Sequence, residues 1–319
     1  MRASLAMLLL ATVATLALVM LRREDLPAAI RASETITLRI SVSSVGTLSY
    51  SLARSLSARL AALGGHLALQ VVESKGPLQN VLAVQRGDAE IGLGTSDIVY
   101  DNASRIGETG KSLRGMAVLN NNPIHVVVPV HSKVRTLRDL AGKRLAVGTR
   151  EGGSAPTVEY LLASSGLKPS DVHMDTVHLR YSAERLRRGE VDAIIIAASF
   201  PYEPVKEAMR TGGRLLSVDG GTVARALNRF PFYRPVAVPA NTYSNQPQRI
   251  HTVAVDTVMF CREDLSAQTV KTFLKLFFKE LGSLDSPLVS RINVAEADAT
   301  PIPLHSGAAA YYRERALQR

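Results

Sequence analysis

The sequence predicts an α/β protein of two lobes, each built on a mixed, mainly parallel sheet flanked by helices. Alternating apolar residues over 36–42 indicate a strand, and leucines at every fourth position over 48–60 indicate a helix after it. The same order of strand, small polar loop and helix recurs over residues 144–165. A chain of 319 residues is long enough to bury two cores.

An uncharged, apolar run covers residues 3–21, between Arg2 and the charged group 22–25. The run is long enough to span a bilayer and is long for the apolar core of a cleaved signal peptide. We therefore expect residues 1–25 to form an N-terminal signal or transmembrane helix that exports the chain. Because no clear cleavage site follows the run, we expect the helix to be retained as a membrane anchor.

The segment after this anchor reads as two βαβ units. We predict strands at 36–42, 66–72 and 89–94, and helices at 48–60, 77–86 and 98–104. Such units form a parallel sheet, and the ligands of parallel sheets bind beyond the carboxyl ends of the strands.

The rest of the chain repeats this alternation. We predict strands at 113–119, 124–130, 144–148, 172–179, 191–197, 214–218 and 251–260. We predict helices at 136–140, 158–165, 183–188, 204–211, 222–229, 267–281 and 308–315. Residues 230–238 contain prolines and are expected to be irregular. We expect the strands at 124–130 and 251–260 to connect the lobes, so that 35–123 and 252–319 form lobe I and 124–251 forms lobe II.

Small polar loops follow several of the predicted strands, at 43–47, 73–76, 95–97, 149–157 and 198–202. Where such a loop opens a helix, free backbone N–H groups and the positive end of the helix dipole meet. This arrangement suits a carboxylate or phosphate without any catalytic group. On local grounds alone, an ordinary helix N-cap by Ser43, Ser44 or Thr47 is the simpler explanation of the first loop.

Composition and motifs argue against several other functions. The net charge is +10, but the charged residues are scattered, and no five like charges stand together in the sequence. The chain also has no Trp, so nucleic acid is not expected as a partner. The seven histidines lack metal-binding spacing, and the single Cys261 lies in an apolar run. The P-loop and G-x-S-x-G motifs are also absent from the sequence. We therefore predict no catalytic residue, metal or cofactor.

Six segments, in this order and spacing, resemble the TAXI family, the solute-binding subunits of tripartite ATP-independent periplasmic (TRAP) transporters. They are SVSSVGTLSYSLARSL, GDAEIGLGTSD, LAGKRLAVGTREGGSAPTVEYLLASSGL, RGEVDAIIIAASFP, RFPFYRPVAVPANTY and IPLHSGAAAYYRE. The resemblance extends over residues 37–315, nearly the whole chain beyond the expected anchor.

This resemblance implies a type II periplasmic-binding fold that captures a small organic anion, such as a dicarboxylate or an acidic amino acid, between its lobes. It also implies the TRAP permease membrane subunits as partners and a periplasmic location, at the inner membrane if residues 3–21 anchor the chain. Carried onto this sequence, the family's ligand loops comprise Ser44, Gly46, Thr47, Tyr50, Ser96, Asp97, Gly153, Ser154, Ala155, Phe200 and Pro201.

Two departures from the family pattern keep alternatives open. The first loop is poorer in glycine than is usual, since Ser44, Val45 and Leu48 occupy positions often held by Gly or Thr. The apolar run also looks retained rather than cleaved, which suits a membrane-tethered ligand sensor of the same fold. A further alternative is an enzyme on this scaffold, with an acid and base among Glu73, Asp97 and Glu151.

Overall fold

The computed structural model describes residues 35–104, 112–148, 153–176 and 178–317. The expected helix of residues 1–25 and Glu151 of the second polar loop lie outside these ranges. No helix within them combines the length and apolar character that crossing a membrane requires.

Within these ranges, ten strands form the sheet: β1 (Ile36–Ser43), β2 (Leu67–Ser74), β3 (Ile91–Thr95), β4 (Leu113–Pro129), β5 (Arg144–Ala146), β6 (His173–Asp175), β7 (Ala193–Ala197), β8 (Gly213–Leu215), β9 (Tyr233–Val238) and β10 (Ile250–Arg262). The helices that flank it are α1 (Leu48–Leu63), α2 (Pro77–Arg86), α3 (Ser96–Ser104), α4 (Ser154–Ser165), α5 (Ser182–Arg187), α6 (Glu203–Arg210), α7 (Gly220–Arg229), α8 (Ala267–Glu280) and α9 (Ser306–Ala316). The strand order is β2-β1-β3-β10-β4-β7-β5-β6, with β8 paired to β4 and β9 paired to β10.

Lobe I is built on β1, β2 and β3, which are parallel because a helix returns the chain after each strand. One apolar core lies between these strands and helices α1, α8 and α9. A second core lies under α2 and α3. Leu52, Leu56 and Leu60, the leucines that predict α1, are buried in the first of these cores.

Strands β4 and β10 run through both lobes. They pair antiparallel from Ala254 opposite Pro123 to Arg262 opposite Leu113. At its carboxyl end β10 also pairs with β3 of lobe I, whereas the far end of β4 pairs with β7 and β8. The two lobes therefore share one continuous sheet.

Lobe II repeats the plan of lobe I. Strand β5 pairs parallel with both β6 and β7. Helices α4 and α7 cover one apolar core, and α5 and α6 cover the other. The predicted ligand residues of lobe II follow β5 and β7 in the chain: Gly153, Ser154 and Ala155 come after β5, and Phe200 and Pro201 come after β7.

Several sequence predictions differ from the structure. Within the strand predicted at 172–179, the described residues form only the short β6, and a 3-10 helix starts at Leu179. The separate strands predicted at 113–119 and 124–130 are a single strand, β4, because the Asn residues between them stay in the ladder with β10. Part of the segment predicted as irregular, 230–238, is strand β9. Pro235 is tolerated there because β9 lies outside the main strand order and pairs with β10 along one edge.

Candidate functional site

The first predicted loop is the start of α1. Ser44 and Gly46 are exposed, and Gly46 has a φ of +92°, in the left-handed region that favours glycine. The Thr47 hydroxyl caps the helix by accepting a hydrogen bond from the Tyr50 N–H at 3.3 Å. The ring of Tyr50 packs against the core of lobe I. This loop is therefore a capped helix start whose tip is open to solvent.

Ser96 and Asp97 begin α3, and both side chains are buried. The Ser96 hydroxyl donates to the Phe232 carbonyl at 2.9 Å and accepts from the Asp256 N–H at 3.0 Å. Asp97 accepts a hydrogen bond from the hydroxyl of Thr157 in α4. Burial raises the pKa of Asp97, and the hydrogen bond from Thr157 opposes that rise. These two residues therefore connect lobe I to lobe II.

The predicted residues of lobe II lie directly against this point. Gly153 is the N-cap of α4, with a φ of +81°. A Cβ added at Gly153 would lie 3.2 Å from both Ile98 Cδ1 and Pro77 Cγ, so the backbone of α4 touches the starts of α2 and α3. Ser154 is buried, and Ala155 packs in the core of lobe II.

Two helix starts without side-chain caps therefore meet between the lobes. The N-cap residues Gly76 of α2 and Gly153 of α4 make no side-chain cap. By contrast, α1, α7 and α8 are capped by Thr47, Asp219 and Ser266. A helix N-terminus carries about half a positive charge, so two of them in contact repel each other unless an anion lies nearby.

A cluster of aromatic rings holds the lobes together beside this point. Tyr100 of α3 lies 5.7 Å from the ring of Phe232, and Tyr160 of α4 lies 5.0 Å from the same ring. Phe230 and Tyr233 complete the cluster. Aromatic contacts of this kind keep α3 and α4 adjacent.

Phe200 and Pro201 follow the carboxyl end of β7 and are joined by a cis peptide bond. Phe200 is half-buried against a core of lobe II, whereas Pro201 is exposed. The Phe200 carbonyl accepts a hydrogen bond from Arg291 Nη1 at 2.7 Å. Arg291 belongs to a segment that packs on lobe I, so this bond also spans the lobes. The sequence analysis misses Arg291 because no local pattern links it to a residue 91 positions away.

A cavity of about 610 Å³ lies elsewhere, where α7 begins beside β9 and β10. Asp219, Pro235 and Ala237 are among the residues that line it, and none of the predicted ligand residues does. The start of α7 beside this cavity is already capped by Asp219. The cavity therefore does not offer the uncapped helix start that is found at the interlobe junction.

The structure therefore brings together four of the predicted ligand residues, namely Ser96, Asp97, Gly153 and Ser154, around one interlobe contact. The first loop follows β1 and Phe200 follows β7, so these predicted ligand residues lie at the ends of other strands and outside this contact. The sequence could anticipate the loop positions because each follows a strand, but it could not identify which loops would touch.

Solved structures with the same architecture include periplasmic binding proteins. The periplasmic aliphatic sulphonate binding protein SsuA from Escherichia coli matches with a TM-score of 0.50 at 16% identity, over 89% of this chain and 94% of that one. The sulfonate-binding protein SsuA from Methylobacillus flagellatus KT matches with a TM-score of 0.51 at 16% identity, over 90% and 89% of the two chains. A Xanthomonas citri protein bound to ATP matches with a TM-score of 0.54 at 11% identity, over 88% and 98%. These likenesses establish the fold as the two-lobed fold of periplasmic binding proteins.

The sequence comparison covers nearly all of the residues that the structure describes. Residues 40–315 match the NMT1-like family, from the middle of β1 to the last turn of α9. Over this length, which includes the interlobe junction and both crossing strands, the chain is a member of the NMT1-like family.

Proposed function

We propose that this protein is an extracytoplasmic solute-binding protein that captures a small organic anion between its lobes. In this proposal, residues 35–123 and 252–319 form lobe I, and residues 124–251 form lobe II. The single observation that carries the proposal is that Gly153, at the uncapped start of α4, lies against Pro77, the first residue of the uncapped helix α2. The Gly76 N–H already donates to Ser74 Oγ, and Pro77 has no N–H. A carboxylate or sulfonate placed there would therefore accept hydrogen bonds from N–H groups in the rest of the two first turns and offset the repulsion of the helix dipoles.

The chemistry of this point supports an anionic solute. Dicarboxylates and acidic amino acids carry the charge that the helix starts require, and the similarity to sulfonate-binding proteins adds alkyl sulfonates to the candidates. We propose that the captured solute is delivered to a TRAP-type secondary transporter, as the TAXI resemblance implies. A helix formed by residues 3–21 would hold the receptor at the membrane beside that permease.

The binding of the anion is tested by thermal unfolding of the full-length protein with a panel of dicarboxylates, acidic amino acids and alkyl sulfonates. A ligand at about 100 times its Kd stabilises the folded state by about 2.7 kcal/mol, which corresponds to a rise in Tm of several degrees. We expect at least one class to give this rise. If no acid in the panel raises the Tm, the proposed function is wrong.

A pair of variants locates the site. Ser154→Asp introduces a carboxylate in the first turn of α4, where it competes with the anion, so we expect the ligand-induced rise in Tm to disappear. Ala267→Asp adds the same charge at the exposed first residue of α8 and should leave that rise unchanged. If Ser154→Asp keeps the ligand-induced rise in Tm, as Ala267→Asp should, the anion binds elsewhere.

A further inference from the structure

A second polar cluster lies where the crossing strand β4 meets the end of β7. Asn120 Nδ2 lies 2.9 Å from Ser199 Oγ, 3.1 Å from Asn122 Oδ1 and 3.2 Å from the Asn121 carbonyl. Asn122 Nδ2 in turn donates to Thr257 Oγ1 of β10 at 3.0 Å. Neutral side chains from both crossing strands and from lobe II therefore form one network.

One atom of this network has no partner among the described residues. Asn120 is 5% exposed, and its Oδ1 accepts no hydrogen bond. The orientation of the amide is fixed, because its nitrogen faces the Asn121 carbonyl, which can only accept. A buried acceptor without a donor is unfavourable, so Oδ1 calls for an N–H or O–H group that the described residues do not supply, from a water molecule or from a solute.

A cation from lobe I binds the residue next to Ser199. Arg291 donates to the carbonyl of Phe200, the residue that follows Ser199, so the guanidinium and the Asn120 amide bind consecutive residues. Among the described residues, no carboxylate pairs with Arg291. A guanidinium has five N–H donors, and the bond to Phe200 uses one of them. The remaining donors match a carboxylate or a sulfonate.

The cluster is positioned to change when the lobes separate. Arg291 packs with lobe I, Ser199 and Phe200 follow β7 of lobe II, and Asn120 lies on the strand shared by both. Opening of the lobes would break the contact between Arg291 and Phe200 and expose Asn120 to a solute.

We propose that Asn120 and Arg291 form a subsite that selects solutes with an N–H or O–H donor next to the anionic group. This inference rests on the proposed function and narrows the solute to hydroxy or amino acids, or to the equivalent sulfonates. The helix starts at Gly76 and Gly153 bind one anionic group of the solute, Arg291 binds a second one, and Asn120 Oδ1 accepts the donor next to that second group. A plain dicarboxylate or alkyl sulfonate leaves Asn120 Oδ1 unpaired and binds more weakly for that reason.

Matched pairs of ligands test this selection. Calorimetric titration of the full-length protein compares malate with succinate, aspartate with succinate, and cysteate with 3-sulfopropanoate, all of which carry two anionic groups. We expect the donor-bearing member of at least one pair to bind about tenfold more tightly or better. Equal Kd values within every pair would overturn the inference while leaving the proposed function intact. If no compound in any pair binds, the inference and the proposed function are both wrong.

Variants assign the preference to the two residues. Asn120→Ala should reduce the preference to about twofold and leave the affinity for the plain acid unchanged, because it removes the acceptor that the donor satisfies. Ser199→Ala removes a neighbour from the same network but keeps Asn120 Oδ1, so the preference should persist. Arg291→Gln should weaken both members of a pair by about tenfold or more, and Arg291→Lys should recover part of that loss. A preference that survives Asn120→Ala, or binding that Arg291→Gln does not weaken, would refute the assignment.

Discussion

At the scale of single residues, His125 shows how burial on a crossing strand changes chemistry. It is 1% exposed, and its Nε2 lies 2.9 Å from the Tyr243 hydroxyl. Burial lowers the pKa of His125 to about 4, because the charged imidazolium is poorly solvated in the core. The folded protein therefore holds this side chain neutral under conditions in which an unfolded chain would protonate it.

This difference predicts acid sensitivity. Between the ordinary histidine pKa of 6.5 and the folded value of about 4, the unfolded state binds the extra proton. The free energy of unfolding should therefore fall as the pH decreases through this window, by about 3 kcal/mol from this residue. Urea denaturation of the wild type and of His125→Gln across this pH range measures the contribution.

We expect the pH dependence of His125→Gln to be shallower than that of the wild type, because glutamine cannot titrate. His173→Gln changes an exposed histidine and serves as the control, with the wild-type dependence retained. Identical slopes for the wild type and His125→Gln would show that His125 makes no contribution in this window.

At the scale of elements, the contact between α4 and the starts of α2 and α3 depends on the absence of a side chain. Gly153 combines a φ of +81° with a distance of 3.2 Å from its added Cβ to Pro77 Cγ. Gly166, at the other end of α4, has a φ of +89°, but its nearest neighbour would be Arg138 Nη2 at 4.0 Å. The two glycines therefore share backbone strain and differ in packing.

Alanine at these positions separates the two effects. We expect Gly166→Ala to lower the free energy of unfolding by about 1 kcal/mol through left-handed backbone strain alone. Gly153→Ala should lower it by about a further 1–2 kcal/mol, because the ring of Pro77 cannot move away easily. Chemical denaturation of the two variants measures the difference, and equal losses would mean that the interlobe contact is not tightly packed.

At the scale of the whole molecule, the shared strands make the two lobes one thermodynamic unit. β4 and β10 contribute buried residues to cores on both sides of the junction. Met116 and Met259 lie in the core beneath α1, and Val126 and Val255 lie in the core beneath α4 and α7. The Ser96 hydroxyl adds a buried link from α3 to Phe232. Loss of either lobe would therefore expose the core of the other.

Calorimetry tests this coupling. We expect a single unfolding transition whose calorimetric and van't Hoff enthalpies agree. Ser96→Ala should shift the whole transition to lower temperature by the equivalent of about 1–3 kcal/mol, since it leaves the Phe232 carbonyl and the Asp256 N–H without their partner. Two resolved transitions, or a shift confined to part of the heat absorption, would contradict this view.

Local periodicity was sufficient to predict the repeating units of strand, polar loop and helix, including the starts of α1 and α2. It was not sufficient for β4 or β9. The Asn residues and Pro123 in the middle of β4 look like a loop, and only their pairing with β10 keeps them extended. The prolines of β9 likewise make this strand look like a loop in the sequence. Pro235 is tolerated because β9 pairs with one strand, β10, and Pro is acceptable at the edge of a sheet.

The sequence by itself determined the fold class, because alternation and leucine spacing are local properties of each segment. It also determined which loops follow strands, and hence the candidate residues from Ser44 to Pro201. Only the tertiary structure decided that Gly153 meets Pro77, and that Asn120 and Arg291 converge on the end of β7. These contacts join residues far apart in the chain, and their geometry is set by the shared strands and the packing of the cores rather than by any local pattern.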